Sequence, residues 1–275
     1  MAILLADIGG TNARFRWFDK GQFGKLTTYS CDDFKNPMAL IDLFINDVPQ
    51  KLNGIVVAGA GPLQKGKLQW TNRPTWKISK KDLGKKYHVK NVVVINDVQA
   101  QGEGLKQLYR CQKASILMNA GTGLGGCFIF NNQVLAGEVG QIKIDQNTKI
   151  EDVISASGVV RLYHVLGGKR NIKSARIIDQ LRSQKDTQAQ QAYQTFYQKW
   201  GEFAARLATA FYALGGIYLW GSLVPVNKKD KNAFLKAYQA TLPKALHKIP
   251  VRFVRFKNLA FKGLARLSDR EFSES

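Results

Sequence analysis

Cysteine is scarce in this chain of 275 residues: Cys31, Cys111 and Cys127 are the three present, widely spaced and without a C-x-x-C pair. That pattern argues against a disulfide framework and against a thiolate zinc site, so three buried free thiols are expected. Histidine is equally sparse. His88, His164 and His247 are isolated, with no spacing partner for a metal, and read as surface or helix residues. Long hydrophobic runs are absent too: no stretch reaches the roughly 18 to 20 apolar residues that span a bilayer, and the N-terminus runs directly into Asp7 without a charged leader or cleavage site. The expectation is a soluble, cytoplasmic protein with no membrane partner.

Negative charge is also in short supply. Twenty Asp and Glu face 41 Lys and Arg, for a formal charge of +21 and a pI near 9.9. Such a field attracts polyanions non-specifically. The basic residues are nevertheless spread from Lys20 to Arg270, and aromatics such as Trp17 and Trp70 do not recur as a stacking platform, so a diffuse basic surface is expected rather than a specific nucleic-acid site. What is plentiful is apolar content, 45% of residues with 11% aromatic, enough to bury a sizeable core.

The apolar runs are short and punctuated. Ile3-Leu4-Leu5-Ala6 enters a glycine-rich turn, Asp7-Ile8-Gly9-Gly10-Thr11-Asn12, and the alternating Ala13 to Phe18 leaves it, which predicts a hairpin. Ser115 to Met118, Gly121-Thr122-Gly123-Leu124-Gly125-Gly126 and Cys127 to Phe130 repeat the unit, predicting a weak internal duplication and two related lobes. Between them, Gly54 to Ala58 and Val92 to Ile95 read as buried strands, with helices over Met38 to Val48 and Val98 to Leu108. Alternation of strand and helix predicts an α/β class with a partly parallel sheet. After Glu151 helices are expected over 154–166, 192–213 and 233–246, broken by strands at Gly216 to Trp220 and Val251 to Val254; the glutamine-rich 184–198 has a buried helical face in Tyr193, Phe196, Tyr197 and Trp200.

Three glycine motifs compete as phosphate sites. Gly61-Pro62-Leu63-Gln64-Lys65-Gly66-Lys67 imitates a P-loop, but Leu68 stands where Ser or Thr is needed and no helix pattern follows, so a plain surface turn is expected. Gly121 to Gly126 matches G-x-G-x-x-G, but a strand rather than a helix follows, and no acidic residue closes a following strand at the spacing of the dinucleotide fold. What remains is a hairpin turn whose amides approach phosphate, helped by the side chains of Thr11, Asn12 and Thr122. The alternative is that both are ordinary tight hairpins with glycine at positive φ. Asp97, delivered by the apolar Val92 to Asn96, suits a base acting on a hydroxyl; it can equally cap the helix that follows.

Asp7 to Phe15, Thr71-Asn72-Arg73-Pro74-Thr75-Trp76, Ile95-Asn96-Asp97, Gly121 to Gly125 and Ser155 to Tyr163 together resemble the bacterial glucokinase family, in order and in spacing over nearly the whole chain. The resemblance implies a two-lobed, actin-like ATPase (ribonuclease H-like) sugar kinase fold with an interlobe cleft. It divides the chain into a small lobe, 1–106, completed by a C-terminal helix 258–275, and a large lobe, 107–257. It also implies ATP and Mg2+ as cofactors, a hexose substrate phosphorylated at the 6-hydroxyl, with glucose first, and a homodimer. Ala6, Asp7, Ile8, Gly9, Gly10, Thr11 and Asn12 would hold ATP from one side, with Asp7 near the magnesium through water; Gly121, Thr122 and Gly123 would hold phosphates from the other, and Gly221 and Ser222 would lie near the adenosine. Asn72, Asn96, Asp97, Glu138, Gln141 and Glu151 would ring the sugar, and Asp97 would take the proton.

The chain also departs from the family pattern. Glu-Gly-Gly-His becomes Glu138-Val139-Gly140-Gln141, so an amide replaces a sugar-facing histidine, and Val139 adds bulk beside it. The connections Leu105 to Ser115 and Ile142 to Glu151 are shorter than usual. The cysteine-rich zinc motif of the related ROK kinases and repressors, and the repressors' N-terminal DNA-binding helix pair, are not found in the sequence. Gln141, the short connections and the +21 charge support an alternative, a non-catalytic sugar- or nucleotide-binding regulator on the same fold.

Overall fold

A computed structural model describes residues 2–272. The chain divides into two compact units, residues 1–110 with 256–275 and residues 111–255.

In the first unit, β1 (Ala2–Ile8) is apolar almost throughout because it is central: β2 (Asn12–Asp19) pairs with it antiparallel and β5 (Leu52–Gly59) parallel. β2 alternates instead, burying Ala13, Phe15 and Trp17 while Asn12 and Arg14 face out. Lys20 and Gly21, at φ 46° and 79°, turn the chain into β3 (Gln22–Phe23), and β4 (Thr27–Ser30) also pairs with β2. Helix α1 (Pro37–Asp47) starts where the Asn36 side chain accepts from Ala39 N at 3.0 Å, and its Phe44 stacks on Phe15 at 5.1 Å. The sheet ends on β9 (Asn91–Asn96), so its order is β3-β2-β1-β5-β9.

Between β5 and β9 lies a smaller antiparallel sheet, β6 (Leu63–Gln64), β7 (Lys67–Trp70) and β8 (Arg73–Ser79), followed by α2 (Lys80–Tyr87). Lys65 and Gly66, at φ 48° and 73°, form the β6–β7 turn, so the P-loop imitation is the plain turn expected. Helix α3 (Asp97–Leu108) packs against the C-terminal helix Leu259–Phe272. Their crossing depends on glycine: a Cβ on Gly263 would lie 1.8 Å from the Ala100 carbonyl, and one on Gly104 would lie 2.0 Å from that of Leu259. The C-terminal helix was expected to reach 275; residues 273–275 lie outside the described residues.

The second unit repeats the plan. β10 (Ser115–Ala120), β11 (Leu124–Phe130) and β12 (Gln133–Gly137) form an antiparallel meander, and β13 (Gly216–Trp220) and β14 (Val251–Phe253) add parallel strands, giving β12-β11-β10-β13-β14. Antiparallel third, second and first strands followed by parallel fourth and fifth occur in both sheets, the duplication being that of the ribonuclease H-like, actin-like ATPase fold. Helices α4 (Ala156–Val165), α5 (Ala175–Ser183), α6 (Thr187–Ala210) and α7 (Lys228–Thr241) cover this sheet's core. The glutamine-rich stretch is helical as expected. Asp186 caps α6, and Ala189, Tyr193, Phe196, Trp200, Phe203 and Leu207 fall at three- and four-residue spacing on its buried face.

Two expectations need correction. The last helix before β14 begins at Lys228 rather than 233 and stops at Thr241, because Asn227 caps Asp230 N at 2.9 Å and Pro243 cannot continue it. Cys31 and Cys127 are buried, but Cys111 is only half-buried, in the loop before β10.

Candidate active site

In the first unit the predicted residues gather where β1, β5 and β9 end at their C-terminal tips, the usual ligand edge of a parallel sheet. Three bonds tie the neighbouring turns together. Ala60 N donates to the Ile8 carbonyl at 3.3 Å, Thr71 N to the Ala60 carbonyl at 3.0 Å, and Trp70 Nε1 to the Ile8 carbonyl at 2.8 Å. Asn72, exposed at the β7–β8 turn, is thereby brought to the first glycine turn.

That turn uses its acceptors, while two of its donors are left over among the described residues. Gly9 N closes the hairpin onto the Asn12 carbonyl at 2.9 Å; Arg73 Nε donates to the Gly10 carbonyl at 2.8 Å, Cys31 N to that of Thr11 at 2.8 Å, and the Cys31 thiol to that of Gly9 at 3.6 Å. Among the described residues no acceptor takes the N–H of Gly10 or Thr11. The glycines are not there for left-handed backbone. Neither Gly9 nor Gly10 has a φ in the positive range, and a Cβ on Gly10 would meet nothing within 4 Å. The tight-hairpin alternative is corrected on this point: its glycines are not at positive φ, and the N–H groups of Gly10 and Thr11 are donors that an anion can take.

Asp7, one residue before the end of β1, is 8% exposed and pairs across the hairpin with Arg14, whose Nη1 lies 3.5 Å from Oδ2. Burial raises its pKa above the ordinary carboxylate range, and the Arg14 charge and hydrogen bond offset part of that rise. Arg73 also pairs with Asp32, which steadies the guanidinium that braces the turn.

Asn96 and Asp97 share the helix start, where Asp97 Oδ1 also accepts from Val98 N at 2.9 Å. The cap of α3 is Asn96, one residue before the predicted position: its Oδ1 accepts from Val98 N at 2.8 Å and Gln99 N at 3.2 Å, and its Nδ2 donates to the Gly61 carbonyl at 2.9 Å. Asp97 therefore stands inside the first turn, half-buried, with its carboxylate at the positive end of the helix.

The second unit brings its predicted residues together around the turn of β10 and β11. Ala156 N at the start of α4 donates to the Gly121 carbonyl at 2.8 Å, Gly121 N to that of Gly123 at 2.9 Å, and Leu223 N to that of Ala120 at 3.2 Å. Among the described residues Thr122 N and Gly123 N meet no acceptor. Neither Gly121 nor Gly123 has positive φ. Gly221 does, at 112°, and a Cβ there would sit 2.3 Å from the Ala120 carbonyl, so this glycine lets the loop after β13 lie against β10. Ser222 Oγ then lies 3.5 Å from where a Gly121 Cβ would be, and Glu151 Oε2 lies 3.1 Å from where a Gly123 Cβ would be.

Glu138 leads into a short 3-10 turn, Val139–Gln141, and Glu151 belongs to another, Ile150–Asp152. Gln141 Nε2 donates to Glu151 Oε1 at 2.6 Å, and Lys149 Nζ donates to Gln141 Oε1 at 2.6 Å. The Glu138 pKa is raised, first by burial and second by the Glu151 charge, which marks the two carboxylates as neighbours. Paired acceptors with an amide between them suit adjacent hydroxyls. Among the described residues no group of three or more His, Cys, Asp or Glu could hold a metal, and no helix is long and apolar enough to cross a membrane.

A family model described as Glucokinase matches residues 4–152 and 143–271. The chain belongs to the glucokinase family. A glucokinase of Colwellia psychrerythraea is 28% identical over 273 residues, covering 81% of each chain. A bifunctional protein glk of Paraburkholderia xenovorans is 24% identical over 314 residues, which span 98% of this chain but 49% of that protein. Among solved structures, glucokinase from an Antarctic psychrotroph superposes with a TM-score of 0.74 at 24% identity, covering 98% of this chain and 99% of its own.

Within this glucokinase-family chain, sequence reasoning missed two site residues. Arg73 lay inside the quoted Thr71 to Trp76 motif without a role, and only the fold brings it to Gly10. Lys149 carries no sequence signal at all, because it reaches Gln141 through a turn of the chain.

Proposed function

We propose that this chain is an ATP:hexose 6-phosphotransferase acting on glucose first. The observation that carries the reading is the paired construction of the glycine turns: carbonyls largely engaged, amides of Gly10, Thr11, Thr122 and Gly123 without an acceptor among the described residues, and no positive φ at Gly9, Gly10, Gly121 or Gly123. A polyphosphate is the ligand that such donors fit. Ala6 to Asn12 and Gly121 to Gly123 would hold its oxygens, and Gly221 with Ser222 the nucleoside end.

Asp97 would accept the proton of the sugar 6-hydroxyl as that oxygen bonds to the terminal phosphorus and the bond to the leaving diphosphate breaks. Turn amides would stabilise the charge on the transferring group. Asn72, the remaining N–H of Asn96, Glu138, Gln141 and Glu151 would orient the other hydroxyls, so that only one oxygen presents itself to Asp97. Magnesium fits as an ion carried by the nucleotide: Asp7 would hold it through water, and the scarcity of clustered carboxylates agrees with an ion that keeps its waters and substrate oxygens. When bound, it would neutralise charge on the phosphates.

The test is ADP release with MgATP across glucose, mannose, fructose, galactose and N-acetylglucosamine, with Asp97→Asn as control. Turnover highest on glucose and reduced roughly 10²- to 10⁴-fold in the variant supports the reading. A different best sugar keeps the transfer and changes the substrate. A folded protein silent across the panel overturns it in favour of a binding regulator.

A further inference from the structure

The nine residues between Gln141 and Glu151 form a small closed loop. Ile150 N donates to the Ile142 carbonyl at 2.8 Å, Lys143 bridges Lys149 in antiparallel fashion, and Ile144 N donates to the Thr148 carbonyl at 2.9 Å. Asp145 closes its tip, Oδ1 accepting from Asn147 N and Thr148 N at 2.8 Å each. The Lys149 backbone is pinned again where its N–H donates to Asp152 Oδ2 at 2.9 Å. The loop thus returns one lysine to the residue that stands in place of the family histidine.

We infer that Lys149 is a positioning residue that acts through Gln141 and sets the hydrogen-bonding polarity of the sugar subsite. The inference rests on the proposed sugar-kinase reading. A carboxamide can present either its oxygen or its nitrogen to a neighbour. An ammonium only donates and a carboxylate only accepts, so Lys149 on Oε1 and Glu151 on Nε2, both at 2.6 Å, leave Gln141 one orientation. With its oxygen held by a cation, the amide offers a ligand its second N–H as a strengthened donor. Glu151 keeps Oε2 as the adjacent acceptor. A donor beside an acceptor matches a hydroxyl that both accepts and donates. Two carboxylates, Glu138 and Glu151, against the one ammonium leave the set net negative, which selects a neutral sugar over a sugar acid.

The experiment compares wild type with Lys149→Met, Lys149→Arg, Gln141→Leu and the double variant Gln141→Leu/Lys149→Met. It reads sugar KM, ATP KM, Tm and, by calorimetry, glucose Kd without turnover. Lys149→Met should raise sugar KM and Kd roughly tenfold with ATP KM and Tm near wild type, Lys149→Arg should restore most of the loss, and the methionine should add nothing once Gln141 is leucine. Unchanged sugar affinity in Lys149→Met, or a fully additive double variant, overturns the role. Wild type that binds glucose without turnover overturns the kinase reading alone and leaves Lys149 to be judged on Kd.

Discussion

In the first unit the glycine turn is braced from outside, by Arg73, Trp70 and Cys31 reaching in from other strands and loops; in the second it is braced by the start of its own next helix, through Ala156, and by the loop after β13. Both sheets keep one strand order, and both turns leave amides without an acceptor among the described residues. What differs is the charge placed beside them. The first unit sets its carboxylates singly, Asp7 near the end of β1 and Asp97 in the first turn of α3, the one proposed for a metal-bearing nucleotide and the other for a proton. The second sets two carboxylates together, Glu138 and Glu151, suited to fixing hydroxyls. A duplicated scaffold can therefore preserve one backbone device, under the proposed function a phosphate cradle, while the side chains around it diverge.

The comparison breaks most sharply at its glycines. Gly221 is required by the fold, with φ at 112° and a virtual Cβ 2.3 Å from a backbone oxygen, so Gly221→Ala should cost about 3 kcal/mol and lower Tm by roughly 6–12 °C. Gly10→Ala, whose Cβ meets nothing, should leave stability within about 0.5 kcal/mol. It should instead raise ATP KM, roughly tenfold, as the methyl keeps phosphate from the amides. Thermal unfolding beside ATP titration reads both. Equal losses of stability would mean that the first turn is glycine for folding after all.

Much of this was legible beforehand. The two hairpins, the buried strands Gly54 to Ala58 and Val92 to Ile95, and the aromatic face of α6 follow from apolar spacing, which burial enforces over several residues at a time. The sheet β6–β7–β8 was not, since two of its strands have only two and four residues and the seven of β8 carry only Trp76 and Ile78 as large apolar side chains, and α7 was misplaced because its first turn, Lys228 to Lys231, is polar and its start is marked only by Asn227. Within the site, residue types on glycine turns and strand tips were readable. The braces Arg73 and Lys149 were not, because each acts on a residue that only folding brings near.

Asp7 sharpens the contrast through stability. Its raised pKa means the folded chain holds this proton more tightly than the unfolded chain, so the charged form penalises folding above the ordinary Asp value and ceases to do so as pH falls toward it. Asp7→Asn should therefore gain stability at pH 7, read as a higher Tm, while losing turnover. The gain should shrink toward pH 4. A lower Tm at neutral pH, or a gain independent of pH, would show that the Arg14 pair rather than burial governs this carboxylate.

The smallest effect expected is on the acid limb of sugar affinity. Glu138 is proposed to accept from hydroxyls, most strongly when ionised, and its pKa is raised first by burial and then by Glu151, so affinity should fall on acidification sooner than an ordinary carboxylate would dictate. Glu151→Gln removes the second cause and leaves the first. The limb of log(1/KM) for sugar should then move to lower pH without reaching the position of an exposed glutamate, whatever the overall loss of affinity from the missing acceptor. A limb that stays fixed would place the two carboxylates out of electrostatic reach of each other in solution; a limb that moves upward would mean that Glu151 had been supporting the Glu138 charge through the Gln141 amide. Either result would replace a paired-acceptor subsite with two separate ones.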